Sequence, residues 1–139
     1  MSYDENAWRA YVLAYDIEVP KEDVEEELYR IRVDMKHRMM YAQMSGAETH
    51  RFPEAELAEQ TDALMEAAIF EVKETLVLKD LTKKLDIQVT AEELLAEGEA
   101  IAQRQNTTLD QVKRFFGQDL GFLERDVREN KIRAWACTQ

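Results

Sequence analysis

Asp16-Ile17-Glu18-Val19-Pro20-Lys21-Glu22-Asp23-Val24 returns later in the chain as Asp86-Ile87-Gln88-Val89-Thr90-Ala91-Glu92-Glu93-Leu94. Each copy reads as the end of one helix, a short extended tether and the start of an acidic helix. Ile17 and Val19, or Ile87 and Val89, stand two residues apart. In extended backbone such residues point to the same side and anchor it. The next residue starts a helix: Pro20 suits the first helical turn, and Thr90 with Glu93 makes a capping box. Helices pinned by such tethers predict long arms held away from a small base, a shape suited to binding rather than to chemistry.

Composition agrees with a folded helical chain. The 139 residues are enough for one domain with its own core, and 45% of them are apolar. Only four Gly and two Pro occur, among abundant helix formers. A net charge of −11 speaks against binding a nucleic-acid backbone, which needs a basic face, and favours solubility. The lone Cys137 has no intramolecular disulfide partner, which fits a reducing, cytoplasmic setting. The polar start Ser2-Tyr3-Asp4-Glu5-Asn6 shows no signal peptide, and no apolar run is long enough to span a bilayer.

Working outward from the two tethers, six helices are expected. The first runs from about Tyr3 to Tyr15, capped by Ser2 with Glu5 three positions on. The second runs from Pro20 to Met44, with acids early and Lys36, His37 and Arg38 late, as the helix dipole favours. Val24, Leu28, Ile31, Met35 and Met39 recur on it at helical spacing. Gly46 ends it, and Pro53 opens a third helix reaching about Leu85, roughly 50 Å at about 1.5 Å per residue. Leu57, Leu64, Met65, Ala68, Ile69, Val72, Leu76 and Leu81 supply its stripe. A short turn between two long helices predicts an antiparallel hairpin. The fourth helix follows Thr90 to about Gln105. Gly98 in its middle costs on the order of 1 kcal/mol against Ala, so a close neighbour is expected there. Thr108 with Gln111 starts a short helix ended by Gly117, and a sixth runs from about Gln118 to Ala136. The expected architecture is all-α: a single domain over 1–139, with an arm hairpin at about 20–85 and a compact helical base from 3–19 plus 86–137.

This order of pieces resembles the C-terminal, substrate-binding domain of trigger factor, the ribosome-associated chaperone. The resemblance is carried by Val12-Leu13-Ala14-Tyr15, Ile17-Glu18-Val19-Pro20, the Pro53-opened helix, Val72-Lys73-Glu74-Thr75-Leu76-Val77-Leu78, Ile87-Gln88-Val89-Thr90-Ala91-Glu92-Glu93-Leu94 and the closing helices to Trp135. The motif Ile-x-Val-Thr-x-Glu-Glu also recurs in chaperone modules of parvulin-type prolyl isomerases, so the fold expected is of the trigger factor and parvulin peptide-binding kind. No Gly-Phe-Arg-x-Gly-type docking loop and no isomerase domain are present, so the resemblance implies neither ribosome docking nor isomerase activity. A natural short relative and a piece of a longer protein both fit.

The resemblance implies an ATP-independent holdase that binds exposed apolar segments of unfolded or nascent polypeptide, without cofactor or metal. The alternative is a self-associating adaptor or assembly module that forms a homodimer. The expected client surface is Met39, Met40, Tyr41, Met44, Phe52 and Met65, centred on a methionine-rich stretch. Methionine is flexible and polarizable and repacks against many apolar partners. Met35 and Met39 also lie on the stripe that packs against the third helix. Lys36, Arg38 and Arg51 make the hairpin tip locally basic. Phe52 doubles as a helix-start staple, Phe70 is expected in the core, and Trp8 and Trp135 are expected to close the base. Nothing suggests an enzyme. His37 and His50 lack further ligands beyond Glu48, Cys137 has no partner base, and no phosphate-binding glycine loop occurs. Neither nucleic acid nor membrane is an expected partner.

Overall fold

The computed structural model describes residues 3–44 and 58–139. Their regular structure is α1 Glu5–Ala14, α2 Lys21–Met44, α3 Thr61–Lys84, α4 Ala91–Arg104, α5 Leu109–Phe116, a 3-10 turn Gly121–Leu123 and α6 Glu124–Ala136. No strand occurs among the described residues, and the fold is all-α.

The two tethers are alike to the residue. Residues 15–20 and 85–90 are both non-helical. Tyr15, Ile17 and Val19 are half-buried while Asp16, Glu18 and Pro20 are exposed, and Leu85, Ile87 and Val89 repeat this against Asp86, Gln88 and Thr90. This is the alternation that extended backbone imposes when one side is covered. The helix after each tether opens the same way: the Pro20 carbonyl accepts from the Val24 N–H at 3.2 Å, and the Thr90 carbonyl from Leu94 at 3.1 Å. Pro20 therefore stands at the N-cap, one residue before the helix, rather than within its first turn. Thr90 adds the expected capping box: the Glu93 N–H donates to Thr90 Oγ1 at 3.1 Å and the Thr90 N–H to Glu93 Oε1 at 3.0 Å. At α1 the cap is Asp4, and the expected cap Ser2 lies outside the described residues. Asp4 Oδ1 accepts from the N–H groups of Asn6 at 2.9 Å and Ala7 at 3.2 Å, because Asp4 is the residue directly before the helix and its carboxylate faces the orphan donors.

The chain divides into two compact units, one of Met1–Ala14 with Leu78–Gln139, the other Tyr15–Val77. In the first unit, α1 packs on α6, and α4 packs on α5, the 3-10 turn and α6. Trp8 and Val12 of α1 are buried, as are Val127, Ile132 and Ala136 of α6. Trp8 stacks on Tyr11 with ring centres 6.0 Å apart, and Tyr11 meets Trp135 edge-on at 6.3 Å. The Arg133 guanidinium lies 5.8 Å from the Trp8 ring centre and 5.7 Å from that of Tyr3, so its charge is met by ring faces. Cys137 Sγ donates to the Asp4 carbonyl at 3.4 Å, which ties the α1 cap to the residue after α6.

Ala102, Val112, Leu120 and Leu123 form a second buried cluster, with Leu94, Ile101, Leu109 and Phe116 around it. Gly98 is buried, and the close neighbour expected there is Leu120: a Cβ on Gly98 would stand 2.7 Å from Leu120 Cδ1 and 3.2 Å from Leu109 Cδ1. Leu120 reaches this notch from left-handed backbone, φ 59°, after Gly117 at φ 96°. Two turn bonds hold it there, Leu120 N–H to the Gly117 carbonyl and Leu123 N–H to the Leu120 carbonyl, each 3.0 Å. The sixth helix consequently starts at Glu124, later than the spacing predicts, because the chain first makes this left-handed bend.

The second tether is fastened by α6. Arg128 Nε donates to the Ile87 carbonyl at 3.3 Å, and Lys131 Nζ donates to the Gln88 carbonyl and, at 2.9 Å, to Glu93. In the second unit, Val24 of α2 and Leu64, Ala68 and Val77 of α3 are buried. Arg32 Nη2 donates to Thr61 Oγ1 at 3.5 Å, and the first turns of α2 share a cleft with Glu71–Leu76 of α3.

Two outcomes follow. Gly98→Val forces atoms into the space of Leu120 and Leu109, and overpacking of this kind costs about 2 kcal/mol, read as a lowered urea midpoint. Glu93 is held below the usual carboxylate range, first by the Thr90 N–H and then by Lys131. A lowered folded pKa stabilises above the unfolded value of about 4.3 and is lost as pH falls through the folded one. Glu93→Gln keeps an acceptor for Thr90, so its stability deficit at pH 7 should shrink as urea titrations are repeated toward pH 3.

Candidate functional site

The last turns of α2 present apolar side chains to solvent. Helix α2 carries no basic residue in its final turn. The cations stand further back, at Lys36 and Arg38, and Arg38 is paired with Asp34 at 2.9 Å. What the helix end presents is Met40 at 45% exposure, Tyr41 at 74% and Met44 at 84%. Met40 and Met44 are four residues apart and Tyr41 and Met44 three, so all three are neighbours on one side of the helix. Met35 and Met39, one helical stripe away, are half-buried, as packing against α3 predicts.

Met65 is exposed on α3, and so is Ile69, four residues on. Ile69 was expected to share the packing stripe with Leu64 and Ala68. Those two are buried, and Ile69 falls one position beyond them, on the open side. Phe70 is half-buried. Phe52, with Gly46, Glu48, His50, Arg51 and Pro53, lies outside the described residues. The structure thus brings Met40, Tyr41 and Met44 together and puts Met65 on the other long helix.

Three large exposed aromatics went unread in the sequence as surface groups. Tyr29 on α2 is 72% exposed, Phe115 at the end of α5 is 83%, and Phe122 in the 3-10 turn is 77%. Within α5, Leu109, Val112 and Phe116 follow the inward 3,4 spacing and Phe115 falls beside it, which is the signal that could have marked it.

The cleft shared by α2 and α3, about 480 Å³, has a different character. Asp23, Glu26, Glu27 and Glu71 rim it around Val72 and Leu76. Arg30 in the same cleft is paired with Glu27. Among the described residues no group of three or more His, Cys, Asp or Glu side chains is placed to hold a metal ion. No described helix is long and apolar enough to cross a membrane.

Over residues 2–138 the chain matches the family model described as bacterial trigger factor protein C-terminus. Trigger factor of Bacillus cytotoxicus is 28% identical over 118 residues, covering 85% of this chain and 27% of that protein. Trigger factor of Clostridium botulinum strain Hall is 24% identical over 132 residues, covering 94% of this chain and 31% of that protein. The chain therefore spans less than a third of the length of these curated relatives. No solved structure matches it. Twin tethers, a capping box and an all-α fold stand where the resemblance called for them, and the chain belongs to the trigger factor C-terminus family.

Proposed function

We propose that this chain is an ATP-independent chaperone module that holds exposed apolar segments of unfolded or nascent polypeptide, without enzymatic activity of its own. The observation that carries the reading is the exposed triad Met40, Tyr41 and Met44 at the end of α2. Two flexible thioethers and one amphipathic ring offer a surface that repacks around many apolar side chains rather than one. Methionines with only a packing role would be covered, as Met35 and Met39 partly are.

On this reading α2 and α3 form the antiparallel arm. Support comes from the pairing of the first turns of α2 with the later half of α3, while Arg32, further along α2, reaches Thr61 at the start of α3. Binding follows from burial of apolar area at roughly 25 cal/mol per Å², offset by the cost of ordering the client. Three exposed side chains give weak, broad and rapidly reversible capture, the behaviour a holdase needs. Family membership supports the chaperone reading and gives no support to isomerase chemistry.

The test is light scattering of a chemically denatured client diluted into buffer. The chain suppresses aggregation at a few-fold molar excess. Joint replacement Met40→Ser, Tyr41→Ser and Met44→Ser should raise the amount needed on the order of tenfold, about 1.4 kcal/mol of lost binding. Global stability should stay within about 0.5 kcal/mol, because these side chains are exposed. Equal protection by the parent and the triple variant overturns the assignment.

A further inference from the structure

Among the described residues the methionines separate by access. Met44 is 84% exposed, Met40 45% and Met65 36%, while Met35 and Met39 are half-buried. Thioether sulfur is oxidised where reagent reaches it, and the sulfoxide formed is polar and chiral where the parent side chain was apolar and pliable. Placing such an oxygen in a contact that works by excluding water removes apolar area and adds an acceptor that must be desolvated.

We propose that Met40 and Met44 are a reversible oxidation site through which peroxide-class oxidants weaken the client surface. The proposal rests on the reading of that surface given above. The step is a two-electron transfer. The sulfur lone pair attacks one oxygen of hydrogen peroxide, an S–O bond forms as the O–O bond breaks, and the departing hydroxide takes a proton and leaves as water. Sulfur is oxidised and peroxide reduced. A methionine sulfoxide reductase reverses the step with two thiols, which leave as a disulfide with the oxygen as water.

Position makes this site more than an accident of exposure. The two sulfurs lie one helical turn apart on the same side of α2, so two modifications fall within one contact. The half-buried Met35 and Met39 belong to the packed side of the same helix, so reagent meets the client surface before the packing that holds the unit together. Loss of grip can thus precede loss of fold. Tyr41 between them is inert to mild peroxide and keeps its ring, so the expected change is a weakening rather than an abolition. Cys137, half-buried and donating to the Asp4 carbonyl, is the competing sulfur that the test must remove.

The experiment uses the full chain carrying Cys137→Ser, treated with graded hydrogen peroxide and quenched. Peptide mass mapping, circular dichroism and client light scattering are read on the same samples. One added oxygen should appear on Met40 and Met44 first, on Met65 more slowly and on Met35 and Met39 last. Protection should fall several-fold in step with Met40 and Met44 while helix content holds, and sulfoxide reductase with a dithiol should restore it. Met40→Leu with Met44→Leu, whatever its starting level, should show one level before and after oxidant. Protection unchanged with both residues fully oxidised overturns the proposal, as does oxidation of Met35 and Met39 at the same rate. Failure of the underlying reading is separate and visible earlier: untreated protein would then protect no better than the triple serine variant, and the switch falls with it.

Discussion

The carbonyls of Ile87 and Gln88 lie in a tether with no helical ladder to receive them, and the first unit is organised by the way α6 answers them. Arg128 reaches the first and Lys131 the second, and the same ammonium closes on Glu93. Glu93 in turn completes the capping box that starts α4. One cation near the end of the chain therefore links an extended segment, a helix start and a carboxylate whose charge is favoured by both. Trp135, one helical turn beyond Lys131, and Arg133 meet the α1 aromatics. The closing helix is thus held both by polar contacts to the tether and by ring contacts to α1.

Much of this was legible in the sequence because the governing rules are local. Alternation at Ile17 and Val19 or Ile87 and Val89, the Thr90–Glu93 box, and a glycine where a helix needs a close neighbour all follow from one to four residues of context. What escaped depends on residues far apart in the chain. Gly98 announces a notch without saying that Leu120 fills it, and no pattern marks a leucine for left-handed backbone. That conformation costs on the order of 1 kcal/mol and is held by packing and turn bonds made elsewhere. The cap at Asp4 escaped because a cap is decided by one residue of register, finer than helical periodicity resolves.

The exposed methionine cluster was legible in a different sense. Four methionines crowded near one helix end drew attention by composition, but composition could not divide them. Burial did: Met35 and Met39 sit on the stripe that continues from Val24, and Met40 and Met44 fall off it. Periodicity names the covered side of a helix only when the helix has one dominant neighbour. For Ile69, Phe115 and Phe122 the apolar character was plain while the missing cover was not, since a sequence shows which residues prefer burial and not how much of each preference is met.

Exposed apolar groups draw copies of a chain together, and a net charge of −11 opposes that association. An unfolded polypeptide carries many apolar segments, so it can gain from several weak contacts where a folded partner, with its apolar side chains inside, offers few. Under the function proposed above, selectivity for unfolded chains would need no shaped pocket. On the proposed reading it follows from keeping every contact weak, a task that pliable thioethers suit better than a fixed hydrophobic groove.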